Sequence, residues 1–451
     1  MKKEDAVKSM IAAALAVFAL GAYAAPLTLV SPKDGETVPT LSDGQKAYFK
    51  MPRKERIEYF ASKECRKKMA ALGYRPKRVT LAWNGGAPGA SYNVELKRAA
   101  DGRTVFSTMT KETSVKVENL EIATEYKWSV TGGGELSAGF TTEDATPRLI
   151  HISGVPNVRD LGGYIGLGGR RVRQGMIYRS AGLNDNATSV YKNRQEMDRA
   201  GMITPKMREK EAKIKAHIER YRGYQAKPAS FPRSHKGWKA WSKRHPDATV
   251  ADYFKRRIDG DEAELKRLFR DDKNKKPGKN RLSETMRIYL AETLGIKTEI
   301  DLRSNGECYG MTGSPIGHGV KWVHIPSRAY GSMQRDGGKA AFKKVFEIFL
   351  DEKNYPIDFH CISGQDRTGS VAFILNGLLG VAEDELYMDW EATGFWNKKT
   401  EFRHSERFDR LVNGFKDNVP GATIHEKIEN YVLSLGFTKD DIEKFRSIML
   451  K

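Results

Sequence analysis

Eleven residues, HCISGQDRTGS at positions 360–370, constrain this 451-residue chain more than any other stretch. An apolar run, YPIDFHC (355–361), precedes them and reads as a buried strand; GSVAFILNGLLG (369–380) follows and reads as a buried helix stopped at Gly380. A helix entered from a tight loop leaves its first N–H groups without intrahelical partners and carries a partial positive charge at that end. Such a turn cradles a tetrahedral anion, phosphate above all. Gly364 lets the backbone take unusual dihedrals or approach closely, and Gly369 permits tight packing where the helix begins.

Cys361, the residue that opens the loop, is expected at the floor of that cradle. A free thiol titrates at about 8.5, and a helix N-terminus with nearby cations brings it down to roughly 3.5–7.5, so the nucleophilic thiolate exists at neutral pH. Arg367 offers a planar fork of donors suited to two phosphoryl oxygens. Thr368 is placed to hydrogen-bond the sulfur and help it leave in a second step. His360 is expected to orient the loop rather than act as a base, because an ionised thiol needs none. The candidate anion-binding set is therefore His360, Ile362, Ser363, Gly364, Gln365, Thr368 and Gly369 around the catalytic pair Cys361 and Arg367.

The pattern Cys-x5-Arg-Thr resembles the signature of the tyrosine phosphatase superfamily. Its longer form is similar to that of bacterial tyrosine and dual-specificity phosphatases, a branch that includes phosphoinositide-active members. VPNVRDLGGY (155–164), GMIYRSAGL (175–183), LGIKTEIDLRS (294–304) and VKWVHIP (320–326) fall in that family's order, so the resemblance covers about 150–185 and 283–400. It implies an α/β domain with a largely parallel central sheet flanked by helices. It also implies a two-step reaction through a phosphocysteine, with no metal and no cofactor. The first step needs a proton donor for the leaving oxygen, and the resemblance points to Asp366, which must hold a proton while Cys361 is ionised. Asp336 in YGSMQRDGGK and Asp389 and Glu391 in DWEATGF are alternatives. Many relatives have lysine where this chain has Gln365, which removes a cation from the loop rim and weakens any inference toward polyphosphorylated head groups. Arg159 and Asp160 are expected in a buried ion pair or turn, and Asp301 and Arg303 to hold adjacent loops.

Other segments set the domain plan. Residues 1–25 read as an export signal: Lys2, Lys3 and Lys8, an apolar run Ile11–Leu20, then Ala22-Tyr23-Ala24. The run is too short to span a bilayer, and the protein is expected to be periplasmic or secreted, with no transmembrane segment in the mature chain. Residues 26–145 carry short alternating runs such as VTLAW (79–83), YNVELKR (92–98) and EYKWSV (125–130), divided by Gly, Asn and Asp. They predict a small all-β sandwich, and LEIATEYKWSV resembles the end of a fibronectin type III-like domain. A helix-favouring insertion near 43–76 interrupts it. The phosphatase-like domain takes 150–451.

Within that domain, 186–282 holds 27 Lys and Arg against 13 Asp and Glu, a surplus of 14 in a chain of net charge +20. FPRSHKGWKAWSKRHPD interleaves aromatics with cations there. The segment reads either as a polyanion- or substrate-binding lid or as a solvated helical insertion whose tryptophans pack onto the main body. Three cysteines are too few for a disulfide framework. Cys65 is expected to be incidental, and Cys308 an unrelated loop thiol, the alternative being a reversible disulfide with Cys361. HExxH, CxxC and GxxxxGK[ST] patterns are absent from the sequence. The expected activity is hydrolysis of phosphomonoesters, phosphotyrosine first and an inositol phosphate or phosphoinositide second. A non-catalytic phosphate- or glycan-binding protein is the reading from another class. Expected partners are a phosphorylated protein or small phosphoester, a polyanion at the basic insertion, and a protein or glycan at the sandwich.

Overall fold

The computed structural model describes residues 25–86, 89–132, 134–191, 193–269, 275–396 and 402–451, the side chains of 60, 61 and 402–405 excepted. The expected export signal lies outside them but for its last residue. No described helix is long and apolar enough to cross a membrane.

The N-terminal region is all-β apart from one helical interruption. Strands β1 (Ala25–Ser31), β3 (Val79–Gly86) and β6 (Ser114–Val117) form one sheet, in the order β1-β3-β6. A second sheet runs β2-β8-β7-β4-β5, from β2 (Glu36–Val38), β8 (Glu135–Thr142), β7 (Glu125–Thr131), β4 (Tyr92–Arg98) and β5 (Thr104–Thr110). Alternation decides which residues go inside. Tyr92, Val94 and Leu96 of β4 and Tyr126, Trp128 and Val130 of β7 are buried, and they share one core with Leu81 and Trp83 of the other sheet. The short strands β1 and β2 escape a reading by periodicity because most of each lies exposed.

Between β2 and β3 lie α1 (Asp43–Lys50), α2 (Arg53–Ala61) and α3 (Lys63–Leu72). Ser42 starts α1 through a capping box with Gln45. These helices bury Tyr48 and Met69 with Ala392 and Phe395 of the C-terminal half.

The second sheet system begins with the hairpin β9 (Leu149–Ile152) and β10 (Val155–Asp160) and continues with β11 (Ile177–Ser180), β14 (Thr298–Asp301), β15 (Lys321–His324) and β16 (Ile357–His360). The order is β15-β14-β16-β11-β10-β9. The sheet is mixed: β15, β14, β16 and β11 run parallel, whereas β10 pairs antiparallel with both β11 and β9. Both faces are covered, so consecutive residues of β11 serve different cores. Ile177 joins one with Ile300 and Ile357, and Tyr178 joins the other with Val158 and Leu290. The helices of this half are α8 (Glu284–Ile288), α9 (Asp336–Phe349), α10 (Asp366–Leu378), α11 (Glu383–Glu391), α12 (Phe402–Asn418), α13 (Ile424–Ser434) and α14 (Lys439–Met449). Helix α10 is apolar all round because it is buried all round, from Thr368 to Leu378.

Residues 185–279 with 305–311 form a compact unit of their own. It contains the two-residue pair β12 (Thr188–Ser189) and β13 (Lys275–Lys276), and helices α4 (Arg194–Arg199), α5 (Pro205–Ala226), α6 (Lys236–Ser242) and α7 (Val250–Leu268). Ile214, Ile218, Tyr221, Phe231, Trp241, Tyr253, Phe254 and Ile258 make its core. Trp238 and Trp241 pack on Tyr253 inside this unit, at ring separations of 5.7 and 5.5 Å, which corrects the expectation that they pack onto the main body. Enough aromatic area is gathered here for the insertion to bury a core by itself.

Leu375 on α10 is fully buried. Leu375→Ala should lower the unfolding free energy by about 2–5 kcal/mol in urea titration, through lost transfer energy and the cavity left behind.

Candidate active site

Strand β16 stands between β14 and β11, with Asp301, His360 and Ser180 level in the parallel register. The chain leaves β16 at His360, turns through 361–365 and enters α10 at Asp366. Gly364 makes the turn at φ 67°, and a Cβ there would lie 2.4 Å from the Ser180 carbonyl oxygen. Only glycine fits both conditions.

Three successive loop carbonyls are held from behind. Ile362 O accepts from Gly182 N at 3.1 Å, Ser363 O from Asn157 Nδ2 at 2.8 Å, and Gly364 O from Arg179 Nη2 at 2.5 Å. In a trans peptide the N–H of the next residue points opposite to the carbonyl. Fixing these oxygens therefore turns the amides of Ser363, Gly364 and Gln365 to the other side of the loop. Asn157 is itself oriented by Arg159, whose Nη1 donates to Asn157 Oδ1. Both arginines meet at Asp389 of α11: Arg159 Nε donates to Oδ1 at 3.1 Å and Arg179 Nη1 to Oδ2.

Cys361 is buried, which by itself raises a thiol's pKa, but the neighbouring Arg367 guanidinium and the Thr368 hydroxyl and amide outweigh that. The thiol is lowered, with the Asp366 charge opposing. Among the described residues, the buried Thr368 hydroxyl has no competing hydrogen-bond partner. Arg367 Nη1 donates to Leu302 O at 3.3 Å, which anchors one edge of the guanidinium to the end of β14. Of the remaining predicted residues, Gln365 is buried at the start of α10, Ile362 is exposed, and a Cβ on Gly369 would meet Trp390 at 2.7 Å.

His360 is fully buried. Its Nε2 meets Glu299 Oε1 at 2.8 Å and its Nδ1 meets Cys361 O at 3.1 Å. Burial alone would lower its pKa, but Asp301 and Glu299 raise it from the ordinary 6.5 to about 9. It is an imidazolium that braces the loop. Glu299, Asp301 and His360 bring ligand-type atoms within 4.8 Å of one another. These groups are already committed: Arg303 chelates Asp301, and Ser314 Oγ donates to Glu299. The buried cations Arg303 and His360 supply the charge such a cluster would otherwise seek from a metal. Asp160 accepts the amides of Gly162 and Gly175 and pairs with Arg148, the turn role expected of it.

The carboxylates named as proton donors separate clearly. Asp366 opens α10, and its Oδ1 accepts from the hydroxyl of Tyr330. Asp389 is held below the ordinary carboxylate range; burial opposes this, and Arg179 and Arg159 overcome it. Committed to two guanidiniums, it has no proton to donate. Glu391 is buried against Arg56. Asp336 is exposed in the first turn of α9. The segment containing Asp336 does approach the loop, but through Tyr330, whose backbone takes φ 56° and whose N–H donates to Ser370 Oγ at 2.8 Å. Tyr330, Asn157 and Arg179 carry no signal of their own in the sequence; only the motif residues beside them in YGSMQRDGGK, VPNVRDLGGY and GMIYRSAGL mark them. Cys65, Cys308 and Cys361 form no disulfide with one another.

The family model described as "Tyrosine phosphatase family" matches residues 150–201 and 256–451. The chain belongs to the tyrosine phosphatase family. It is accordingly a phosphoric monoester hydrolase of the cysteine-based kind. No curated protein sequence matches the chain. Among solved structures, the core catalytic domain of PP-IP phosphatase SIW14 from S. cerevisiae, in complex with citrate, is similar at 17% identity. The match covers 30% of this chain and 79% of that one, with a TM-score of 0.22, a likeness that carries no argument about this chain.

Two buried groups on β16 tie stability to pH. The contribution of His360 is complete below about 6.5, its ordinary value, and is lost as pH rises through about 9. Asp358, buried and near Glu299, is raised to about 7 and acts with the same sign, favouring the fold while protonated. Unfolding free energy should fall from about pH 4 to 7 through Asp358 and from about pH 6.5 to 9 through His360. His360→Asn should cost about 3–5 kcal/mol at pH 6, through the uncompensated acids, and flatten the slope between pH 7 and 9. Denaturant titrations across that range check both.

Proposed function

We propose that this tyrosine phosphatase family member hydrolyses aryl phosphomonoesters, phosphotyrosine first, through a phosphocysteine on Cys361. The lowered thiol of Cys361 beside Arg367 carries the reading. In the first step the sulfur attacks phosphorus while Arg367 and the turned loop amides take the phosphoryl oxygens. The P–O ester bond breaks, and the leaving oxygen takes the proton of Asp366. In the second step water attacks the phosphocysteine and gives its proton to Asp366. The S–P bond breaks, and Thr368 stabilises the departing thiolate. Tyr330 holds the Asp366 carboxyl in place for both proton transfers.

Arg367 is the only arginine or lysine between Cys361 and Thr368, which favours a single phosphate over a polyphosphorylated inositol or phosphoinositide, the second substrate class. A purely binding protein for phosphate or a glycan has no use for a lowered thiol.

Further parts of this reading rest on other features. Tyr126 supports a fibronectin type III-like sandwich, since its hydroxyl accepts from Glu121 N at 2.8 Å, five residues upstream. The stretch 227–244 supports polyanion contact: Lys227, Arg233, Lys236, Lys239, Lys243 and Arg244 are exposed and form no ion pair among the described residues, whereas Lys210, Lys213, Lys215 and Arg222 of α5 all pair with glutamates. The apolar run before Ala22-Tyr23-Ala24 places the enzyme outside the cytoplasm in this reading.

Purified protein should turn over aryl phosphates without added metal and in the presence of chelator. Cys361→Ser should abolish turnover and leave inorganic phosphate binding intact. Asp366→Asn should slow poor leaving groups by about 10²–10⁴-fold and good ones much less. Equal slowing of both would assign the proton to another group.

A further inference from the structure

The helical interruption of the N-terminal region reaches the catalytic loop through one buried arginine. Arg56 on α2 is fully buried. Its Nε donates to Glu391 Oε2 at 2.6 Å, its Nη1 to Met51 O at 2.6 Å and to Asp384 Oδ2 at 3.0 Å, and its Nη2 to Asp384 Oδ1 at 2.7 Å. Asp384 and Glu391 lie at the two ends of α11, so one guanidinium spans the helix. Burial lowers the pKa of Arg56, and Asp384 and Glu391 more than reverse that. Neighbouring contacts have the same direction. Arg53 donates to Asp409 at 2.8 Å and lies over the Tyr387 ring at 3.5 Å, and Tyr48 packs edge-on against Phe395 at 5.3 Å.

What α11 carries explains why this matters. Asp389, between Asp384 and Glu391, holds Arg159 and Arg179. Those two hold the Gly364 carbonyl directly and the Ser363 carbonyl through Asn157. Thr393, in the 3-10 turn Ala392–Phe395 after α11, also accepts from Asn157, at 3.3 Å. The turn is the element that Tyr48 and Met69 cover. Hydrogen bonds from α2 thus hold both ends of α11, and hydrogen bonds from Asp389 within α11 lead on to the two carbonyls whose direction turns the loop amides inward, the helix itself joining the two sets.

We infer that Arg56 is a positioning residue for the phosphatase reaction, and that the helices α1–α3 of the N-terminal region are a working part of the active site rather than a separate attachment module. This rests on Cys361 being the nucleophile. Loosening α11 lets the Ser363 and Gly364 carbonyls rotate, the loop amides turn away from the anion, and the first turn of α10 shifts with the Arg367 and Thr368 groups that lower the Cys361 thiol.

The test uses the full chain and three readouts: ultraviolet titration of the Cys361 thiolate in a Cys65→Ser, Cys308→Ser background, inhibition by inorganic phosphate, and kcat and KM for an aryl phosphate. Arg56→Met should raise the thiol pKa, weaken phosphate inhibition at least about tenfold and lower kcat/KM by a similar factor. Arg56→Lys should recover part of each, because it keeps the charge and loses the two-ended reach. Glu118→Gln, which breaks an exposed pair with Arg75, should move none of them. Should Arg56→Met fail to fold, Glu391→Gln, isosteric and still able to accept, gives the same readouts at smaller size. A variant that melts earlier yet keeps the wild-type thiol titration and phosphate affinity would overturn the inference. A wild-type protein with no thiolate near neutral pH would instead overturn the reading of Cys361.

Discussion

The structure turns on the direction of three carbonyls. A loop that follows a central strand can point its amides either way, and without external bonds the difference between the two is small. Here Gly182, Asn157 and Arg179 take the oxygens of Ile362, Ser363 and Gly364, so the amides face the other side. Those amides then face the side on which the proposed reaction places the phosphoryl group. The Cys361 thiol is lowered despite complete burial by the Arg367 guanidinium and by the hydroxyl and amide of Thr368.

Holding those carbonyls takes a buried charge network, and buried ions stabilise only when each finds partners. Arg159 and Arg179 share Asp389; Arg303 and His360 share Asp301; Arg56 shares Asp384 and Glu391. Such a network is a poor source of stability compared with packed apolar side chains. Its value here is orientation, because guanidinium forks accept only a narrow range of directions. The apolar cores above and below the sheet then supply the stability that the ionic layer does not.

How much of this could be read from the letters follows from distance along the chain. The strand and helix around Cys361 are legible because eleven contiguous residues carry the turn and the apolar runs on either side are long. Asp389 reads from sequence as a possible acid because its neighbours say nothing of Arg159, 230 residues earlier, or Arg179. A tyrosine beside glycine, as Tyr330 is, carries no local signal, whereas an aspartate in a glycine-flanked loop, as Asp336 is, does. Arg56 sat inside a segment recognised only as helix-forming, and its partner Glu391 is 335 positions away. In the basic insertion, Trp238 and Trp241 looked like packing against the main body, since sequence cannot tell a satellite core from an extension of the first. Against the expected largely parallel sheet, β15, β14, β16 and β11 run parallel and the direction reverses at β10, which follows the tight return at Gly154, φ 86°.

The most direct test of the account is a crystal of the protein soaked with vanadate, which adopts the geometry of a phosphoryl group in transfer. The account predicts vanadium bonded to Cys361 Sγ, its equatorial oxygens on the amides of the 361–368 loop and on Arg367, and one apical oxygen facing Asp366. Vanadate bound elsewhere, or a loop whose Ser363 and Gly364 carbonyls face the sulfur, would contradict it.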